Sequence, residues 1–254
     1  MNIVFEYIKY RLNAKHLHGI HSPFVYKFMK EGMSIKMNDA QKRFIDSCVS
    51  KAKKNNKKIE ITDYGAQSKK LKSKRSINQI LRTSSSYGKN ALLLYRISAY
   101  FRPKSILELG TSIGIGSLHL HIGAPEAELT TVEGCPETYK MAGENIGNSS
   151  IERINKTFYD YIKSIENKKY DIVFIDGHHD GAALKYYIQM LEPHSHSETI
   201  IILDDIRWSS SMLDAWNSLK KETKFHLSMD FFRMGILIKR PQQQKENFIL
   251  KLKR

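Results

Sequence analysis

Cysteine is nearly absent: Cys48 and Cys135 are the only two in 254 residues, and they stand far apart. Such a pair provides neither a disulfide framework nor a zinc cluster, and it suits a reducing compartment, so a cytoplasmic chain is expected. Proline and glycine are also sparse, at 6 and 14 residues, while 41% of the chain is hydrophobic. That balance excludes collagenous, mucin-like and wholly disordered classes. Nowhere does an uninterrupted apolar run approach the roughly 20 residues of a membrane helix. The opening stretch interrupts its apolar pattern with Glu6, Lys9 and Arg11, which spoils the continuous core of a secretory signal.

What is abundant is positive charge. The formal net charge is +15, and the stretch Lys36 to Arg75 carries thirteen Lys or Arg against four acids, so it holds nine of the fifteen. A patch of this kind attracts nucleic acid, anionic lipid or an acidic substrate. A solvated helix face with a loop explains it as well, and that reading is preferred.

The length allows one large α/β domain plus an appendage. Residues 1–80 read as a basic, helical N-terminal extension, with apolar spacings such as Phe5, Ile8, Leu12 and no strongly alternating strand. Residues 81–240 read as the main domain and 241–254 as a peripheral tail of low complexity. Within the middle portion, strands are expected at Ser105–Leu109, Glu128–Val132, more weakly around Ile151–Phe158, at Tyr170–Ile175 and at Thr199–Leu203. Helix-sized stretches separate them, and after the fifth strand Trp208, Met212, Ala215 and Leu219 repeat at helical spacing, as if on one buried face. Alternation of this kind makes a doubly wound parallel sheet. The last two strands, Lys224–Met229 and Met234–Lys239, are separated only by Asp230 to Arg233, too few residues for a crossover helix, so they should form an antiparallel hairpin. The expected fold class is therefore α/β, a Rossmann-like, doubly wound, seven-stranded and mostly parallel sheet that closes with an antiparallel hairpin.

The first strand runs into Glu108-Leu-Gly110-Thr111-Ser112-Ile-Gly114-Ile-Gly116. Glycines there let the chain turn tightly and let a ligand approach the next helix. Their order is not the G-x-G-x-x-G of nicotinamide sites. Glu108, two residues before the first glycine, would repel a pyrophosphate but could accept a hydrogen bond from an ammonium group. This favours a nucleoside that carries an amino acid. Glu133 closes the second strand, where a carboxylate can accept both ribose hydroxyls.

At these residues the chain resembles the class I S-adenosylmethionine-dependent methyltransferases, over roughly Tyr87 to Arg240. The run from Ile106 to Ser117 looks like the catechol O-methyltransferase-like branch, and Phe174-Ile-Asp-Gly-His-His is similar to small bacterial methyltransferases whose fourth strand ends in Asp-Gly-x-His. The resemblance implies S-adenosylmethionine as cofactor. It places Glu108, Gly110, Thr111, Ser112, Gly114 and Gly116 around the methionine portion, Glu133 at the ribose, and Thr157 and Phe158 beside the adenine. It also implies that Ser84 to Gly88 close over the methionine carboxylate.

A second cluster is acidic. Asp176 closes the fourth strand and Asp204-Asp205 the fifth, so parallel strands deliver all three to one sheet edge. Converging carboxylates need neutralising, and Mg²⁺ or another divalent cation would do it. In cation-dependent O-methyltransferases the matching positions hold the metal, with Asn in the place of Asp205. Asp176 or Asp204 could equally bond backbone amides or the cofactor's amino group. His178 and His179 follow directly, and His179, three residues after Asp176, is the expected base for a substrate hydroxyl. His16, His18 and His21 are read as a loop before a helix capped by Ser22, not as a metal tract, and Cys135 as non-nucleophilic. Trp208 either lines the substrate mouth or packs the helix.

The acceptor expected is an oxygen of a small molecule, and the N-terminal helices would cover the substrate side or form a homodimer contact. The rivals are RNA methylation, motivated by Lys51 to Arg75, and a regulatory protein that binds the cofactor without catalysis. Against RNA, Asp-Gly-His-His stands where an Asn-Pro-Pro-Tyr type sequence would be needed.

Overall fold

The computed structural model describes residues 1–63, 71–83, 87–147 and 149–252. The chain divides into two compact units, one built from Met1–Ser34 with Ile165–Arg254 and the other from Ile35–Ser164. The first is here the outer unit and the second the middle unit.

The outer unit begins with helix α1 (Ile3–Asn13), whose first turn is capped by the Asn2 side chain, and α2 (Pro23–Lys30), where Ser22 caps and Pro23 occupies the first turn as the sequence led us to expect. On α1 only Tyr10 is buried, and Val4, Phe5, Ile8 and Leu12 are exposed.

In the middle unit, α3 (Asp39–Lys54) opens with a full capping box between Asn38 and Gln41. An antiparallel pair follows, β1 (Lys58–Asp63) and β2 (Leu71–Ser76), which the helical reading of the N-terminal segment did not foresee. In β1 only Ile59 and Ile61 alternate with polar residues, a short signal, and β2 carries Lys72, Lys74 and Arg75 with no alternation. After α4 (Ile77–Thr83) and α5 (Lys89–Phe101) come β3 (Ser105–Leu109), α6 (Ile115–Gly123), β4 (Glu128–Val132), α7 (Pro136–Ile146), β5 (Glu152–Ile154) and α8 (Phe158–Lys163). β3 pairs with β4, and β4 with β5, all parallel. The basic N-terminal segment is no loose appendage. Ala52, Ile59, Ile77, Ile80 and Leu81 form one buried cluster with Ile113 and Ile115 of the glycine loop and Met141 of α7. Removing these apolar groups from water is what ties the lysine-rich segment down.

The outer unit resumes with β6 (Tyr170–Ile175), α9 (Gly181–Met190), β7 (Ser195–Leu203), α10 (Ser210–Leu219), β8 (Leu227–Asp230), β9 (Gly235–Ile238) and β10 (Glu246–Ile249). β6 and β7 are parallel, and β9 runs antiparallel to both β7 and β8, the expected closing hairpin. The tail is not peripheral. β10 pairs in parallel with β8, Phe248 and Leu250 are buried, and the Lys15 amide donates to the Ile249 carbonyl at 2.8 Å, so the N-terminal segment is stitched to the tail. A run of Gln and Lys before it concealed this short strand. The fold is α/β and Rossmann-like, with mainly parallel strands. Among the described residues no helix is long and apolar enough to cross a membrane.

Candidate active site

In the middle unit the site grows from the end of β3. Glu108 is 1% exposed, and its carboxylate accepts hydrogen bonds from the Ser117 hydroxyl and, at 2.6 Å, from the Thr131 hydroxyl. The Thr111 and Thr131 hydroxyl oxygens are 2.6 Å apart, and since Thr131 donates to Glu108, Thr111 is the donor to Thr131. Burial pushes the Glu108 carboxyl up to about 7, against the two hydroxyl donors that hold it down. Thr131 and Ser117 escaped the sequence reading. Their signal was positional only: Thr131 pairs in register with Glu108, and Ser117 lies on the first helical turn after the glycines.

The loop itself needs unusual backbone. Gly110 and Gly114 have φ of 110° and 84°, and Ser112 a φ of 50°. At Gly114 a Cβ would also come within 2.9 Å of the Ile146 side chain, so glycine is required on both counts. Asn145 donates to the Ile113 carbonyl at 2.9 Å and steadies the loop.

Glu133, after β4, uses its carboxylate to organise this backbone. It accepts the Ser112 amide at 2.8 Å and the Cys135 amide at 2.9 Å, and burial raises its carboxyl above the ordinary value against those amide bonds. Thr138 and the Gly134 backbone also hydrogen-bond to this carboxylate. Cys135 is buried ahead of α7, and its sulfur accepts the Thr62 amide of β1 at 3.3 Å, a packing role.

The third strand is shorter than expected and ends at Ile154. Thr157 instead caps α8, accepting the Asp160 amide and donating to the Asp160 carboxylate, and Phe158 starts that helix, buried. A cap residue followed by a single helical turn or two carries too short a pattern to see in sequence. Of the Ser84 to Gly88 segment, Ser84 to Ser86 lie outside the described residues.

In the outer unit, β6 delivers Asp176, and the chain then turns through His178, at φ 49°, to Asp180, whose carboxylate caps α9. The His178 Nδ1 lies 2.5 Å from the Tyr187 hydroxyl, and the His179 ring lies 5.4 Å from that of Trp208. Trp208 is 62% exposed and precedes α10, so it does not share the buried face of Met212, Ala215 and Leu219. Trp216 fills that face instead.

β7 delivers Asp204 and Asp205, both buried. Asp205 adopts φ 49° and its carboxylate is held by Arg233, which donates from Nε at 2.8 Å and from Nη2 at 2.7 Å. The same Nη2 is 3.9 Å from Asp204. Burial would lower the Arg233 guanidinium, but Asp205, Asp204 and, more weakly, Asp176 overcome it and raise it. These donors do not fit a divalent cation as they stand, because a guanidinium already occupies the Asp205 carboxylate. Among the described residues no group of three His, Cys, Asp or Glu side chains could hold a metal ion. Arg233 was missed because only the folded hairpin turn brings it back to β7.

Beneath lies a buried ion pair. Arg207 grips Asp230 through Nη1 at 2.8 Å and Nη2 at 2.7 Å, and Trp216 donates to the same carboxylate at 3.3 Å. Tyr10 and Phe232 flank the guanidinium, and Tyr10 is pushed up to about 12, chiefly by burial and then by Asp230.

Residues 107–206 match the model of a methyltransferase domain. The chain carries a methyltransferase domain. Its fold is shared with an O-methyltransferase from Bacillus cereus solved with SAH, S-adenosylhomocysteine, at 15% identity over 81% of this chain and 93% of that one, with a TM-score of 0.56. An SAH-bound methyltransferase from Podospora anserina is 14% identical over 89% and 97% of the two chains, with a TM-score of 0.58. An O-methyltransferase from Streptomyces achromogenes involved in tomaymycin synthesis, solved with SAM, is 14% identical over 84% and 95%, with a TM-score of 0.56. The matched segment is that of a methyltransferase domain, and the fold is shared with methyltransferases solved with SAM or SAH.

Proposed function

We propose that this methyltransferase moves the methyl group of S-adenosylmethionine to a hydroxyl oxygen of a small molecule. The observation that carries the cofactor half is the Glu108 carboxylate, buried and held by hydroxyls at the end of β3, an arrangement suited to an ammonium group. Gly110 through Gly116 leave room for the methionine portion. Glu133, whose carboxylate the Ser112 and Cys135 amides hold in place, accepts the ribose hydroxyls. Thr157 and Phe158 stand beside the adenine, with the Thr157 hydroxyl kept for its cap.

In the transfer, the acceptor oxygen attacks the sulfonium methyl in line, the O–CH3 bond forms as the S–CH3 bond breaks, and the hydroxyl proton passes to His179. Asp176 lies three residues before His179 and orients the reacting groups. The accompanying Trp208 ring, largely exposed, supplies an apolar wall for a flat acceptor. Holding oxygen and methyl at attack distance provides much of the acceleration.

The test is a screen with methyl-labelled S-adenosylmethionine against phenolic, other hydroxylated and RNA acceptors, using the wild type and His179→Ala. Label in a small hydroxylated acceptor, lost in the variant, is the expected result. Label in RNA alone would overturn the proposal in favour of the basic segment, and cofactor binding without any transfer would favour a non-catalytic role.

A further inference from the structure

We propose that Arg233 is the resident cation of the acidic strand end, occupying the place that a divalent metal would take between Asp204 and Asp205. The inference rests on the methyltransferase reading of this site and specifies how its negative charge is balanced.

Two adjacent buried carboxylates cannot both stay charged without a counter-charge. Arg233 supplies one. Its Nε and Nη2 both reach Asp205 Oδ1, and Nη2 also faces Asp204. The position is fixed by main chain as well as side chain. The Ile206 amide donates to the Arg233 carbonyl at 3.0 Å, and the Phe231 amide to the Met234 carbonyl at 2.8 Å, so the turn between β8 and β9 is tied to the segment that follows β7. The left-handed φ of 49° at Asp205 and 74° at Phe232 shape the two sides of this contact. A guanidinium is permanently charged and planar, so it neutralises the pair at every physiological pH. It also repels a second cation, which would have to displace it before reaching the carboxylates. Methyl transfer by this protein therefore proceeds without a bound divalent ion, and Arg233 is a positioning residue that keeps Asp204 and Asp205 in place.

The experiment follows Mn²⁺ uptake by the full chain, read from the electron paramagnetic resonance signal of free Mn²⁺. Wild type and Arg233→Lys, which keeps the charge, should leave the signal at its protein-free level. Arg233→Ala should take up one Mn²⁺ per chain, and adding Asp204→Ala should abolish that uptake. Stoichiometric Mn²⁺ binding by the wild type that Asp204→Ala removes would overturn the proposal. So would an Arg233→Ala protein, shown to be folded by circular dichroism, that takes up none. Should Arg233→Ala not fold, Arg233→Gln carries the same two outcomes. SAH is titrated into the same samples: failure to bind SAH would count against the methyltransferase reading, whereas the Mn²⁺ pattern alone decides the role of Arg233.

Discussion

The Thr131 hydroxyl donates to the Glu108 carboxylate at 2.6 Å, from the neighbouring parallel strand at the same register position. Two strands thereby cooperate to hold an acid in an interior that would otherwise neutralise it. The balance between burial and these hydroxyl donors leaves Glu108 ionising at about 7, and measurable consequences follow from that value.

Stability should fall as pH rises from the ordinary carboxylate value toward neutrality. Between 4.5 and about 7 the unfolded chain has released the Glu108 proton while the folded chain retains it. The unfolded state thus binds fewer protons, and stability decreases with pH until the folded group also ionises, a loss of about 3 kcal/mol from this residue. Glu133, also raised, contributes with the same sign. Urea denaturation across this window should show a shallower pH slope for Glu108→Gln than for wild type. An unchanged slope would contradict the assignment.

Cofactor affinity should respond in the opposite sense. An ammonium group binds the carboxylate form, so SAH affinity should strengthen as pH rises toward about 7 and then level off. Calorimetry at several pH values should show this trend for wild type and not for Glu108→Gln, which should bind weakly throughout.

The Arg207–Asp230 pair should be a strong stability determinant. Removing one partner strands the other charge in the interior, at a cost of about 3–5 kcal/mol. Asp230→Ala also deprives Trp216 and the Phe232 amide of their acceptor. Equilibrium unfolding of this variant should show a loss in that range, and a loss under about 1 kcal/mol would mean that the pair is solvated.

Gly114→Ala should destabilise the glycine loop. The new Cβ meets Ile146 at 2.9 Å and the residue must keep a φ of 84°. Strain of this kind costs on the order of 1–3 kcal/mol. Ile146→Ala added to it should relieve the clash but not the backbone strain, so thermal melting of the double variant should not show an additive loss.

The parallel strands, the closing hairpin and the glycine loop were legible in sequence because each has a local pattern: β-branched runs, a connection too short for a crossover, and glycines at a strand end. Elements with weak local patterns were not. The alternation in β1 spans only Ile59 and Ile61, β2 is basic without alternation, and β10 has four residues behind a glutamine run. At the site, Glu108, Glu133, Asp204 and Asp205 could be placed at strand ends from spacing alone. Partners such as Thr131 and Arg233 could not, because they come from another strand and from a hairpin turn and are brought in only by the folded sheet. A triad of acids therefore suggested a metal, and Arg233, which donates to the Asp205 carboxylate, lay 28 residues beyond it.

The central claim, that Glu133 and the glycine loop hold S-adenosylmethionine, is tested most directly by isothermal titration with SAH. Wild type should bind one SAH per chain, and Glu133→Ala, which loses the ribose acceptor and the anchor of the Ser112 amide, should bind at least roughly tenfold more weakly, about 1.4 kcal/mol. No binding by the folded wild type, or equal binding by both proteins, would contradict the account.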